Sequence, residues 1–104
     1  MIAVPSGSET TLHEVILEES AARFRFLVAD LGTGGLSYSD LAADFPFLCE
    51  AYALPALAAN DLQVAQVVIS LADRPVPFGE ADPNATQFFE GFDISEGVCM
   101  WEQF

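Results

Sequence analysis

Lysine is absent from this sequence, and only Arg23, Arg25 and Arg74 carry a fixed positive charge on their side chains. Phosphate recognition needs Lys and Arg, so nucleic acid and anionic lipid are not expected as partners. Against the 3 arginines stand 16 acidic residues, for a formal net charge of −13. The acids are scattered, with Glu18-Glu19 the longest run, which describes a solvated negative surface rather than an acidic tail. A basic partner is compatible with that surface. Histidine occurs once, as His13, and cysteine twice, as Cys49 and Cys99, with no Cys-x-x-Cys spacing. A structural zinc takes about four N/S ligands, so no metal site and no cofactor are expected. No apolar run reaches the roughly eighteen residues of a spanning helix, so membrane insertion is not expected either. The opening Met1-Ile2-Ala3-Val4-Pro5 is too short for a signal peptide and lacks its basic flank. It fits a start methionine ahead of a processed mature chain as well as it fits a native start.

Core material is plentiful. The chain has 104 residues, 52% of them hydrophobic, with 9 Phe. That length predicts one domain over residues 1–104, with residues 1–9 as a flexible lead. Such a domain buries roughly 60–70% of its unfolded surface, and disorder is excluded despite the charge. Thr11 to Glu18 and the alternating "RFRFLVA" of residues 23–29 read as two strands joined by a short turn. Pairing about that turn sets Leu17 opposite Phe24, Val15 opposite Phe26 and His13 opposite Val28. On the other face Glu18 meets Arg23, and Arg25 lies opposite Ile16 with Glu14 and Glu18 diagonal to it. Cross-strand charge pairs contribute about 0.2–1 kcal/mol each, which gives two of the arginines a structural role.

"GTGG", residues 32–35, ends this unit. Ser37-Tyr38-Ser39-Asp40 resembles a capping box opening a helical region. Leu41, Phe45, Leu48 and Tyr52 form its apolar stripe, with Cys49 at the edge. Pro46 either kinks that helix or begins a second one capped by Asp44, and Pro55 ends or restarts it. Residues 65–71 are β-branched and nearly continuous, as in a central strand buried on both faces. Residues 88–94 alternate again, Ser95-Glu96-Gly97 is a turn, and residues 98–104 are a last strand. The predicted fold is α+β, a single two-layer domain with a mostly antiparallel sheet. Its order is ββ-α-βββ, with a Pro-interrupted helical segment on one face. Cys99 on the last strand can then meet Cys49 on the helix. The residues leave a single disulfide and two buried thiols both open. A bridge would close a loop of roughly 50 residues, worth about 4 kcal/mol in the chain-entropy account.

Few residues offer chemistry. Gly32-x-Gly34 sits between strand and helix, but Ser37 stands where the third glycine of a dinucleotide loop belongs. His13 reads as a partly buried, hydrogen-bonded strand residue, and a catalytic role with nearby carboxylates is the alternative. Asp82, Asn84, Thr86, Glu90 and Asp93 match several positions of a calcium loop, yet Gln87 replaces its glycine and Asp93 its longer Glu. Asn84-Ala85-Thr86 matches a glycosylation acceptor, too short a pattern to carry weight. The 73–88 connection is the most unusual stretch. Its Arg74 reads as an ion pair with Asp73, Glu80 or Asp82 that pins the loop. The alternative is a contact for an anionic ligand or partner, with Phe78 beside it.

"TLHEV" at 11–15, "RFRF" at 23–26, "VVISLADRPVPFGEADPNATQFFE" at 67–90 and "CMWEQF" at 99–104 are shared features. Through them the chain resembles a family of small uncharacterised proteins from Rhodobacter-type alphaproteobacteria. That resemblance implies an exported bacterial protein whose signal has been removed, which suits a Cys49–Cys99 disulfide. It implies no activity and no catalytic residues. The resulting expectation is a non-enzymatic binding or accessory protein, periplasmic or secreted, with Arg74, Phe78 and Trp101 anchoring an unknown, basic protein partner. The alternatives are a cytoplasmic acidic inhibitor that mimics nucleic acid, and a small enzyme using His13.

Overall fold

A computed structural model of the chain describes residues 2–31, 36–80 and 82–102. The GTGG turn expected at 32–35 and the end of the last strand at 103–104 lie outside the described residues. Five strands form one sheet in the order β1-β2-β3-β4-β5. They are β1 Thr10–Leu17, β2 Ala21–Val28, β3 Gln66–Ala72, β4 Gln87–Ser95 and β5 Val98–Trp101. The α+β fold and its ββ-α-βββ order are as the sequence predicts. Three of the pairings are antiparallel, whereas β2 and β3 run parallel. The helical segment between these two strands is the crossover that a parallel pair requires.

The β1–β2 register differs from expectation by two residues. Val15, not Leu17, faces Phe24, and Leu17 faces Ala22. The turn is shorter than four residues, because the Glu18 N–H already donates to the Ala21 carbonyl at 2.8 Å. A register shift between Leu12 and Glu14 leaves His13 as the extra residue of a bulge on an edge strand. His13 is therefore exposed, where the sequence reading placed it on the apolar face. The charge pairs survive the shift. Glu14 faces Arg25 directly, and Glu18 reaches Arg23 at 2.9 Å.

The helical layer is a run of short pieces, α1 Tyr38–Leu41, α2 Asp44–Leu48 and α3 Leu54–Ala59. A π turn over Cys49–Ala53 joins the last two. Ser37 and Asp40 form the expected capping interaction, with the Ser37 N–H donating to Asp40 Oδ2 at 2.8 Å. Pro46 falls within the first turn of α2, where its missing N–H is harmless. Pro55 lacks the N–H that would bond four residues back, and its ring would press on that carbonyl. The wider turn before it resolves this, with the Leu54 N–H bonding five residues back to Cys49.

Leu41, Phe45, Leu48, Cys49 and Ala53 are fully buried against Phe24, Phe26, Val67, Ile69, Leu71 and Phe92 of the sheet. The run is long and apolar enough to cross a membrane by composition alone, but this face of it forms the protein core. Asp44 does not cap α2. It is buried and accepts hydrogen bonds from the Ser6 N–H at 2.9 Å and the Ser6 hydroxyl at 2.6 Å. The lead expected to be flexible is thus hydrogen-bonded to the domain, and Ile2 also donates to the Thr10 carbonyl at 2.7 Å. Cys49 and Cys99 are joined by a disulfide with their Cα atoms 6.3 Å apart, tying the π turn to β5.

Candidate functional site

Alternation along the strands sends every second side chain to the sheet face opposite the helices. Register sets Arg23, Val68 and Gly91 in one row across that face, and Arg25, Ser70 and Phe89 in the next. The connection after β3 lies over these rows. Val76 is buried there, and Phe78 lies over both guanidinium groups, 5.2 Å from Arg23 and 5.7 Å from Arg25. Arg25 fastens the loop, donating to the Val76 carbonyl at 2.6 Å while it pairs with Glu14.

Between Phe78 and Phe89 remains a cleft of about 170 Å³, floored by Val68, Ser70 and the two arginines. Its walls stand out into solvent, with Phe89 70% and Phe78 49% exposed. On the same face of the sheet, Met100 and Val98 of β5 are also exposed, 56% and 47%. Acids border this face. The Gln66 side-chain amide donates to Glu102 at 2.5 Å and to Asp93 at 3.3 Å. Contact with Asp93 raises the Glu102 carboxyl above its ordinary value, against the lowering effect of Gln66.

The residues singled out in sequence fall in different places. Arg74 pairs with Asp73 at 3.2 Å, and the Asp73 carboxylate also accepts from the Thr86 N–H at 3.0 Å. Burial alone would raise the Asp73 carboxyl, but Arg74 and Thr86 together hold it below the usual value. Asp73 with its two partners thus closes the base of the loop. Phe78 forms a wall of the cleft. Trp101 stands on the other side of the sheet, paired with Phe92 and packed 5.5 Å from its ring and 6.4 Å from that of Phe45. Its indole N–H donates to Glu90 at 3.4 Å. Trp101 and Phe78 therefore do not share one surface.

His13, on its edge-strand bulge, lines neither this cleft nor the groove beside α3. The supposed calcium ligands separate as well. Asp82 holds a local turn by accepting from the Asn84 N–H at 2.9 Å, while Glu90 and Asp93 point to opposite faces of β4. Among the described residues no three His, Cys, Asp or Glu side chains converge. The sequence reading missed Phe89, Arg23 and Arg25 as site residues. The signal was present in β4, where Phe88, Glu90, Phe92 and Ile94 share one phase and leave Phe89 on the other.

A family model described as a family of unknown function (DUF6497) matches residues 1–104, the whole chain. The chain belongs to that family. Neither a curated protein nor a solved structure matches it. Membership in DUF6497 agrees with the resemblance to uncharacterised proteins, so any role for the cleft rests on its geometry. The disulfide suggests an oxidising, non-cytoplasmic setting, where such bridges persist.

Proposed function

We propose that the chain is a small non-enzymatic binding or accessory protein of the bacterial periplasm that docks a basic partner protein on its open sheet face. The observation that carries this reading is the cleft between Phe78 and Phe89, two exposed aromatic walls over a floor that also holds Arg23 and Arg25. Exposed aromatics around a small recess are the usual anchors of an interface, and about 170 Å³ admits a single side chain. The partner's basic character follows from the net charge of −13 and from Asp93 and Glu102 at the border. A partner Lys or Arg placed there would relieve the repulsion between the two carboxyls. Arg74 supports the loop rather than the contact, since Asp73 already engages it. The disulfide and the resemblance to exported alphaproteobacterial proteins support the compartment.

A photo-crosslinking phenylalanine analogue at position 89, introduced into the chain expressed in its source cells, tests the reading. A discrete periplasmic adduct should form from position 89, be absent from the same analogue at the exposed Ser39, which lines neither the cleft nor the groove beside α3, and disappear with Phe78→Ser. Equal labelling from positions 89 and 39, or none from either, would sink it.

A further inference from the structure

A second concavity lies on the helix side of the sheet, at the end away from residues 9 and 29. It is a groove of about 940 Å³ between α3 and the β4–β5 turn, within the size range of ligand sites. Leu54, Leu57, Leu62, Val64 and Ile94 give it an apolar floor, and Asp61 and Glu96 stand on its rim. These two acids share a second property. Among the described residues they are the non-glycine positions with positive φ, at 55° and 53°.

Each occupies a place that other residues fill at lower cost. Asp61 follows α3 in a Schellman motif, its N–H bonding to Ala58 at 3.2 Å while Leu62 bonds back to Leu57 at 2.9 Å. That position favours Gly or Asn. Glu96 precedes Gly97 in a two-residue turn with positive φ at both, where Asn-Gly is the favoured pair. Strained backbone of this kind points toward function when the residue chemistry has a use. Neither carboxylate has an arginine, because Arg23, Arg25 and Arg74 pair with Glu18, Glu14 and Asp73. An apolar floor with two negative charges at its mouth, neither in an ion pair among the described residues, complements one kind of occupant.

We propose that the groove beside α3 seats a cationic amphipathic segment of a partner protein. Its apolar side chains would lie on Leu54, Leu62 and Ile94, and its Lys or Arg side chains at Asp61 and Glu96. A second copy of this chain is a poor occupant, because −13 on each copy repels it. The groove and the Phe78–Phe89 cleft open on opposite faces, so either site can fail without the other.

The test is fluorescence anisotropy with a labelled amphipathic Leu/Lys peptide of about 14 residues, roughly 21 Å as a helix. A control peptide carries Ser in place of every Leu at the same charge. The Leu/Lys peptide should bind at least about tenfold tighter than the control, since apolar burial supplies the difference. Asp61→Asn with Glu96→Asn should weaken it about fivefold, the scale of two exposed charge pairs. The same pair should raise the unfolding temperature, because Asn accepts positive φ more readily. Glu9→Gln with Asp30→Asn, matched in charge at the far end of the sheet, should change affinity less than about twofold when both variants are compared at about 0.1 M salt, where the Debye length is about 10 Å. Phe78→Ser with Phe89→Ser should leave it unchanged. Equal binding of both peptides, equal loss from both charge-matched variants, or loss on altering the open face would each overturn the proposal.

Discussion

The two faces of the sheet are finished by different means. On the helix side Leu41, Phe45, Leu48 and Ala53 are buried in one cluster with Phe24, Phe26 and Ile69, and a disulfide fixes that layer to β5. On the open side the loop after β3 lies over β2 and β3, held by Val76, by Arg25 and at its base by Asp73. There Phe89 and Met100 stay exposed, side chains that a closed face would have buried. The helix side buries most of its large apolar residues and leaves only the groove beside α3 open, whereas the open side leaves its aromatic walls in solvent.

Breaking the covalent tie should have the largest effect. Cys49→Ala with Cys99→Ala should cost about 4 kcal/mol, the chain-entropy value for a loop of this length, read as a lower denaturant midpoint. Next comes the buried carboxylate of the helix side. Asp44→Ala strands the Ser6 donors and should cost about 1–3 kcal/mol in the same measurement. On the open side Asp73→Asn should cost about 1 kcal/mol, and its dependence on pH sharpens the comparison. Asp73 is depressed in the folded state, so its contribution is present above the ordinary carboxylate value of about 3.9 and is lost as pH falls through the folded value. Thermal unfolding of the native chain and of Asp73→Asn should therefore differ at neutral pH and converge in acid. Smallest of all, Phe89→Ser should shift stability by no more than about 0.5 kcal/mol, as expected of a surface position. A larger loss would mean that Phe89 belongs to the core and that the two faces are less different than described.

Much of the architecture was legible because it is written in alternation and punctuation. The 3.6-residue stripe of Leu41, Phe45 and Leu48 and the period-two runs of β2 and β4 locate the elements directly. The parallel pairing of β2 and β3 was implicit in the helical segment between them. The hairpin register was not legible, since Ala21 and Ala22 suit a turn or a strand equally, and a bulge at His13 leaves no compositional trace. For the candidate site, the sequence singled out the loop after β3 and Phe78, which walls the cleft. It could not show that Arg23 and Arg25, already explained by their glutamates, also hold up that loop. Nor could it separate Trp101 from the face that carries Phe78, because which face β5 presents depends on its register with Phe92.

The bridge between Cys49 and Cys99 has a topological consequence. It closes the intervening chain into a covalent ring, and that ring contains α3, β3, β4 and the whole loop that carries Phe78, while β1, β2 and the first helices hang outside as a tail. A protease that cuts the exposed loop opens the ring without releasing a fragment. The two pieces stay joined until a reductant reaches the sulfurs, so the part of the molecule most open to attack is also the part where a single cut separates nothing.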